Sequence, residues 1–486
     1  MFPRTSGPVR RLLHGGGAVA ASLTLMAGAA WACPPEPENA QSKQASTQAD
    51  GGEGTSGGPH SGHYRRAAPA KTESEAIKGV RRVGGVPDAK GAISLMFIDY
   101  GHGRHKRTIM YATGQFGLKA YDVSADPRVP KLVGQLNMPG MWETEDTDFD
   151  PKRKIIYLSR DPRAFGGNTR TGESGIYVVD ASKPESLKQI TYVKVPAGHT
   201  TTCVNDCRYL WTGGPAKADW MPADWGGRPV WVTDVRNPAK PKVFADPIDT
   251  GRNDGKTDYT HDIQVDSEGV AWASGRGGVR GYYTQGRHYD PLAKRWRTAS
   301  AHDPVPYAGG GLDEATTNST FMHNSYRAVG RTRDQAADPR RWGDGKLLYI
   351  TEETFNAGCA DDGLLVIASL KGSYNGEGWR STPQDPFRLR TVATWGVAGK
   401  EGTDDSGDER SKDCSAHYFD VRDGIIVQSY YAQGTRFLDV RDPTNPRQVA
   451  YYRPADAESW QPYWHGRYVY VADNTRGVDV LEPTFR

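Results

Sequence analysis

The sequence has no excess of charge of one sign. Its 61 lysines and arginines face 58 aspartates and glutamates, which gives a formal net charge of +3, and the basic residues form no stripe along the chain. Arg4, Arg10 and Arg11 lie in the N-terminal segment, so removal of that segment would leave a neutral chain. Because nucleic-acid binding depends on clustered positive charge, this composition argues against nucleic acid as a partner.

Long apolar runs are also scarce. The clearest apolar run, residues 18–30, follows these arginines, and the sequence AWAC, which ends at Cys33, closes the segment. This order is typical of a secretory signal peptide, and the run is too short for a membrane span. We therefore predict a signal peptide over residues 1–32 and an exported protein, extracellular or at the cell surface. Cleavage would leave Cys33 at the N-terminus, so a lipid anchor on Cys33, the one expected link to a membrane, and an ordinary secreted product both stay open.

Cysteine occurs five times, which leaves four residues besides Cys33. Exported thiols tend to oxidise, so we expect disulfides. Cys203 and Cys207 flank a short turn sequence, VND, and a disulfide across that hairpin is reasonable. Cys359 can pair with Cys414 if the two loops in which they lie open on the same face of neighbouring sheets. The alternative is that these cysteines are free thiols or metal ligands.

Several catalytic signatures are missing. The chain shows no Ser-His-Asp signature, phosphate loop or haem motif, and its glycine-rich stretches lack the strand-to-helix context that such motifs require. Residues 33–77 are rich in Gly, Ser, Ala, Gln and Pro and nearly devoid of apolar side chains. Such a segment cannot offset its ordering entropy, so we predict a disordered tether there and a folded domain over residues 78–486.

What the chain does contain is a repeat. An apolar strand runs into a turn with Asp and Pro and then into a second strand. The copies are Gly117–Gly134, Gly175–Ile190, Pro229–Phe244, Thr435–Ala450 and the shortened Gly477–Pro483. Recurrence of a unit that cannot bury its own apolar face indicates a repeat architecture.

Each copy predicts strands. Segments such as IYVVD and VWVTD are β-branched and aromatic, the Pro presets a turn, and the Asp side chain can accept bonds from the backbone amides ahead of it. Apolar runs upstream supply two further strands per unit. Four antiparallel strands per unit form the blade of a β-propeller, so the predicted fold is all-β.

The pattern of Gly, apolar strand, Asp-Val, two prolines and a second strand resembles the LVIVD repeat of bacterial surface and secreted β-propeller proteins. The resemblance covers most of the chain after about residue 78. It implies a propeller outside the cytoplasm, and it implies no particular reaction.

Seven blades can be counted, and an N-terminal strand closes the ring. The predicted blade starts are Ala92, Glu145, His199, His261, His323, His417 and Trp460. The last blade lacks an outermost strand, and the segment Gly79–Pro87 reads like one. Closure of this kind removes exposed strand edges.

The blade starts predict a possible metal site. Four consecutive blades begin with His199, His261, His323 and His417, while Glu145 and Trp460 occupy the corresponding places in blades two and seven. Pseudo-symmetry would bring these side chains to one mouth of the central channel. Neutral imidazoles beside a carboxylate suit Cu, Zn or Fe(II). The alternative is structural, with each ring bonding the backbone of the neighbouring blade.

Further candidates surround that mouth. Asp262 and Asn324 each follow a histidine and either orient its ring or cap the strand entry. Trp220 and Trp225 lie in a long loop that opens on the same face, called here the top face, and either bind a ligand or pack that loop on its blade. His102 and His105 belong to a loop on the opposite face and should not join the cluster.

Two functions from different classes remain. The first is a monomeric exported scaffold, with or without a lipid anchor, that binds a protein or small molecule through its top face and has no catalysis of its own. The second is a metal-dependent oxidase or hydrolase in which the four histidines are ligands and Glu145 is a ligand or general base.

Overall fold

Short extended segments rich in valine, isoleucine and tyrosine form every sheet of the protein. The computed structural model describes residues 75–138, 145, 147–164, 172–214, 229–250, 260–275, 278–307, 321–331, 342–353, 363–370, 389–404 and 414–485. These residues contain no α-helix; 3-10 turns lie at Pro87–Ala89, Gly103–His105 and Pro184–Ser186. No helix long and apolar enough to span a membrane occurs among them.

Thirty-two strands lie within the described residues. In chain order they are β1 (Ala76–Lys78), β2 (Val80–Val86), β3 (Ala92–Tyr100), β4 (Arg107–Gly114), β5 (Gly117–Asp122), β6 (Lys131–Leu136), β7 (Asp148–Asp150), β8 (Ile155–Arg160), β9 (Gly175–Asp180), β10 (Lys188–Lys194), β11 (Thr200–Val204), β12 (Tyr209–Gly213), β13 (Pro229–Asp234), β14 (Lys242–Val243), β15 (Ile248–Asp249), β16 (Thr260–Val265), β17 (Val270–Gly275), β18 (Gly278–Tyr283), β19 (Gly286–Asp290), β20 (Arg295–Ala299), β21 (Val305–Pro306), β22 (Met322–Arg331), β23 (Trp342–Glu352), β24 (Leu365–Ser369), β25 (Arg390–Trp395), β26 (Phe419–Arg422), β27 (Ile425–Ser429), β28 (Thr435–Asp439), β29 (Arg447–Arg453), β30 (Ser459–His465), β31 (Tyr468–Asp473) and β32 (Gly477–Pro483).

These strands form seven antiparallel blades of four strands each, in a ring. From the innermost strand outward, the blades are β3-β4-β5-β6, β7-β8-β9-β10, β11-β12-β13-β14, β16-β17-β18-β21, β22-β23-β24-β25, β26-β27-β28-β29 and β30-β31-β32-β2. The predicted seven-bladed propeller is therefore confirmed. The innermost strands begin within three residues of the predicted blade starts.

The ring closes through strand β2, near the start of the folded domain, as the sequence predicts. Strand β2 pairs antiparallel with β32, with Val80 opposite Pro483 and Val86 opposite Val478. Strand β1 extends blade six in the same way, because Ile77 lies opposite Tyr452 of β29.

Both faces of each blade are buried, because neighbouring blades pack against each other. In blade one the side chains of β4 from Ile109 onward are buried, whereas those of the outermost β6 are exposed or half-buried. Ile98 of blade one, Ile156 of blade two and Val179 of blade two share one apolar cluster. The apolar contacts between blades therefore stabilise each blade, which would not be stable on its own.

The repeated Asp acts as predicted. In the turns after the third strands, Asp122, Asp180, Asp234 and Asp439 each accept a bond from the backbone amide two residues ahead, at 2.8 to 3.1 Å. Blade four differs from the repeat, since a separate hairpin of β19 and β20 is inserted between its third and fourth strands. The sequence reading did not anticipate that hairpin.

One predicted disulfide is confirmed. Cys203 and Cys207 are bonded across the turn that joins β11 and β12. Cys414 is also disulfide-bonded, whereas its expected partner Cys359 lies outside the described residues, so that pairing stays a prediction. Residues 1–32 and Cys33 lie outside them too.

Candidate metal centre

The blade-start side chains reach the axis from irregular strand entries. In blades one, four, five and seven the innermost strand begins with a β-bulge, and such an extra residue re-aims its side chain. The bulged residues are Ile93, His261, His323 and Trp460. His199 and His417 lie just before their strands, and His199 N donates to the carbonyl of Gly213 at 3.1 Å. Blade one thus has an apolar side chain where four other blades have histidine.

The structure brings the four imidazoles together around the carboxylate of Glu145. Oε2 of Glu145 lies 3.5 Å from Nε2 of His199 and 3.3 Å from Nε2 of both His261 and His323. Oε1 lies 3.6 Å from Nε2 of His417. Each of these five side chains belongs to a residue at most 3% exposed. Glu145 itself lies three residues before β7, in a loop and not on the strand.

Three of the rings are oriented through their other nitrogen. Nδ1 of His261 donates to the carbonyl of His323 at 3.0 Å, and Nδ1 of His417 donates to the carbonyl of Trp460 at 2.7 Å. Nδ1 of His199 lies 2.9 Å from Oδ2 of Asp161. A carbonyl oxygen only accepts, so Nδ1 must carry a hydrogen, and a neutral ring then presents the lone pair of Nε2 to the centre.

Some ligand atoms at the centre have no hydrogen-bond partner in the part of the chain that the structure describes. Nε2 of His323, Nε2 of His417 and Oε2 of Glu145 are buried and make no hydrogen bond of acceptable geometry within the described residues. Nε2 of His199 and Nε2 of His261 face each other at 2.8 Å. Two neutral rings would oppose lone pairs there, so a proton or another cation must lie between them.

The electrostatics of the centre couple the imidazole rings to the carboxylate of Glu145. Burial alone would raise the pKa of Glu145, but the charges on His199 and His417 hold it well below its usual range. Burial opposes a charge on His199, yet the Glu145 carboxylate and the hydrogen bond to Asp161 raise its pKa to about 10. Burial, with the charge on His199, lowers the pKa of His261 to about 4. Burial, with the charges on His417 and His261, holds the pKa of His323 well below its usual range.

Asp161 is a contributor that the sequence reading missed. It follows β8 and is fully buried, and its two oxygens bind the guanidinium of Arg163, with Arg163 Nη2 2.8 Å from Oδ2. Arg163 Nη2 also lies 3.2 Å from Nδ1 of His199. Burial would raise the pKa of Asp161, but Arg163 and the bond to His199 keep it below its usual range. No repeat position marks these two residues, because they lie in a blade-specific loop.

Glu353 and Tyr431 form a second unanticipated pair at the edge of the cluster. Oε2 of Glu353 lies 4.0 Å from Nε2 of His323, and Tyr431 donates its hydroxyl hydrogen to Oε1 of Glu353 at 2.7 Å. Burial raises the pKa of Glu353 to about 7. Tyr431 has a left-handed backbone conformation with φ of 35°, which is energetically costly for a residue with a bulky side chain. Residues in such strained conformations are found most often at functional sites.

The ligand atoms present fit a metal ion by number and kind. Three overlapping groups have their ligand atoms within 4.8 Å of one another. They are Glu145 with His199 and His261, Glu145 with His323 and His417, and Glu353 with His261 and His323.

Asp262 and Asn324 bond each other and not the imidazoles. Nδ2 of Asn324 donates to Oδ2 of Asp262 at 2.6 Å, and the hydroxyl of Tyr418 lies 3.4 Å from Oδ1. Burial raises the pKa of Asp262 to about 7. These residues form a polar layer next to the cluster, whereas ring orientation comes from Asp161 and backbone carbonyls.

The remaining candidates are placed as follows. Trp460 packs against the ring of His417, with centroids 4.9 Å apart. His102 and His105 are exposed in the connection between β3 and β4, on the face opposite the strand entries. Trp220 and Trp225 lie outside the described residues.

Comparisons with known proteins give remote structural similarity. Neither a protein-family model nor a curated protein matches the chain. Among solved structures, a periplasmic gluconolactonase of Pseudomonas aeruginosa is 16% identical, with a TM-score of 0.48, and the match covers 80% of this chain and 91% of that one. The β-propeller domain of Cps50 (Swd1) from Myceliophteria thermophila is 10% identical, with a TM-score of 0.46 and coverage of 84% and 99%.

A third similar structure is the hydrazine synthase of Kuenenia stuttgartiensis. It is 11% identical, with a TM-score of 0.42, and the match covers 77% of this chain and 92% of that one. At such identities the activities of these proteins are not transferable, because a propeller hosts many unrelated functions.

Proposed function

We propose that this protein is an exported, LVIVD-type propeller whose central histidine cluster binds a transition metal and serves oxidative or hydrolytic chemistry. The observation that carries the proposal is the convergence of four buried Nε2 atoms on the carboxylate of Glu145, at 3.3 to 3.6 Å. Export, a monomeric state and a lipid on Cys33 belong to the same proposal.

The arrangement of hydrogen bonds favours a metal over purely structural histidines. Structural rings would satisfy both nitrogens with protein partners, since buried polar atoms are normally hydrogen-bonded. Here the Nδ1 atoms of His261 and His417 are bonded to backbone carbonyls, while Nε2 of His323 and Nε2 of His417 make no hydrogen bond to the residues that the structure describes. Ligating histidines typically donate Nδ1–H to a carbonyl or carboxylate in this way.

The kinds of ligand atom present narrow the choice of metal ion. Imidazole nitrogen suits Cu, Zn and Fe, whereas Ca²⁺ and Mg²⁺ prefer oxygen ligands. A bound ion of this kind polarises an oxygen atom of a substrate or lowers the pKa of a bound water. Glu145 would balance the positive charge of the ion and would serve as a ligand or a general base, and Tyr431 holds Glu353 beside His323.

Elemental analysis of the purified mature protein tests this proposal. We expect about one Cu, Zn or Fe per chain, as for other sites of this ligand class. The double variant His261→Ala/His323→Ala should lose that metal, whereas His105→Ala, an exposed histidine outside the cluster, should keep it. Absence of metal from the wild type, together with no change in melting temperature on addition of Cu, Zn or Fe, would remove the proposal.

The non-catalytic scaffold remains as a second candidate, because the sequence predicts long loops on the strand-entry face, and loops of this kind often bind ligands. Trp220 and Trp225 are its predicted anchors. A metal-free protein that captures a ligand through this face would favour it.

A further inference from the structure

A small cavity lies in the central channel next to the histidine cluster. Its volume is about 70 Å³, and every blade contributes to its wall from its innermost strand or the residues just before it. It adjoins the cluster, because two of its lining residues, Asn324 and Tyr418, directly follow His323 and His417 in the sequence. The cavity is not part of the proposed metal site, and nothing in that site explains its chemistry.

Two buried amide oxygens face the cavity without a partner. Nδ2 of Asn324 is bound to the carboxylate of Asp262 at 2.6 Å, which fixes the orientation of the amide. Oδ1 of Asn324 then makes no hydrogen bond to any described residue, and neither does Oε1 of Gln461. Asn324 is 3% exposed and Gln461 6% exposed. Buried acceptors of this kind normally have a donor, and none of the described residues supplies one here.

The cavity also carries negative charge. Asp148 and Asp420 line the cavity, and no lysine, arginine or histidine is among its described lining residues. Asp420 accepts bonds from the backbone amides of Val421 and Trp464, both at 2.8 Å. Asp148 accepts bonds from the amides of Phe149 and Cys203, both at 2.7 Å. These acidic side chains make the wall unfavourable for anions.

Aromatic rings complete the wall. The lining includes Phe149, Tyr326, Tyr418, Phe419 and Tyr463. The faces of aromatic rings attract cations, and the attraction grows when water is excluded. Carboxylates, unpartnered acceptors and aromatic faces are together the surroundings that an ammonium group requires.

We infer that the central channel holds a binding site for a small organic ammonium ion. The volume of about 70 Å³ is roughly half of the ~150 Å³ that accommodates benzene in an engineered cavity, so the ion has about three or four non-hydrogen atoms. Its N–H groups bond Asn324 Oδ1 and Gln461 Oε1, and its carbon atoms contact the rings. The site is independent of the metal and would exist whether or not the cluster is loaded.

Calorimetric titration of the purified protein at constant ionic strength tests this inference. Ethylammonium chloride should bind with a stoichiometry near one, whereas ethanol, its neutral isostere, and sodium chloride should not. Gln461→Leu and Asn324→Leu should each weaken ethylammonium binding about tenfold or more, because each removes a charge-assisted bond. Gln428→Leu, which removes a buried glutamine outside the cavity lining, should leave the affinity unchanged.

The wild-type titrations decide the ligand class even if a variant fails to fold. Equal binding of ethanol and ethylammonium would overturn the cationic class. Absence of binding by ethylammonium would show that the cavity holds only water. Unchanged affinity in both folded leucine variants would place the ion elsewhere and overturn the site. Metal content, measured in parallel, separates these outcomes from failure of the metal proposal.

Discussion

At the scale of single residues, the decisive feature is which nitrogen of each imidazole is already used. A sequence shows that four histidines recur at blade starts, but it does not show that Nδ1 of His261 and His417 is bonded to backbone carbonyls. Those bonds direct the Nε2 atoms of these two rings toward the centre. The carboxylate of Asp161 has the same role for His199, with Arg163 bound to both of its oxygens.

The role of Asp161 can be tested by Asp161→Asn. The amide cannot supply the full negative charge that orients and polarises the ring of His199, so we expect metal affinity to fall about 10- to 100-fold. Asp180→Asn, in a turn remote from the cluster, is the matched control. The dissociation constant measured by competition with a chelator reports the effect. An affinity equal to the wild type in a folded Asp161→Asn protein would show that Asp161 does not position His199.

At the scale of strands and turns, stability comes from the burial of both faces of each blade. Leu481 of β32 is fully buried and packs with Val80 of the closing strand and Val471 of β31. The cluster joins the two ends of the folded domain. A cavity at the position of Leu481 should therefore weaken the closure of the ring as well as blade seven itself.

We expect Leu481→Ala to lower the free energy of unfolding by about 2–5 kcal/mol, the usual cost of such a truncation in a core. Leu132→Ala offers a matched control, since Leu132 of β6 is 43% exposed and should change stability by less than about 0.5 kcal/mol. Urea unfolding of both variants gives the comparison. Similar effects of the two truncations would mean that blade seven is not closed as described.

Much of this element-level structure could be predicted from the sequence, because the strand, Asp turn and Pro repeat in each blade. The inserted hairpin of β19 and β20 could not, since it interrupts the repeat. The bulges at His261 and His323 are likewise invisible, because a bulge depends on pairing register and not on composition. Glu353, Asp161 and Tyr431 were missed for a related reason: they occupy no repeated position and approach the cluster only when blades from distant parts of the chain close into a ring.

At the scale of the whole molecule, the ring converts equivalent positions into neighbours. Residues His199 and His417 are separated by more than two hundred positions in the sequence, yet both contact Glu145. The closure by β2 maintains this arrangement, because an open ring would let the blades move apart. A rigid scaffold of this kind holds ligands in fixed positions, which metal catalysis requires.

X-ray absorption spectroscopy of the metal-loaded mature protein tests the central claim most directly. A metal held by the histidine cluster should show a first shell of three or four nitrogen ligands, with possible oxygen from Glu145, at about 2.0–2.2 Å for zinc, and the outer-shell scattering of imidazole rings. A first shell of oxygen atoms alone, or sulfur ligation, would contradict the account, as would a protein that takes up no Cu, Zn or Fe.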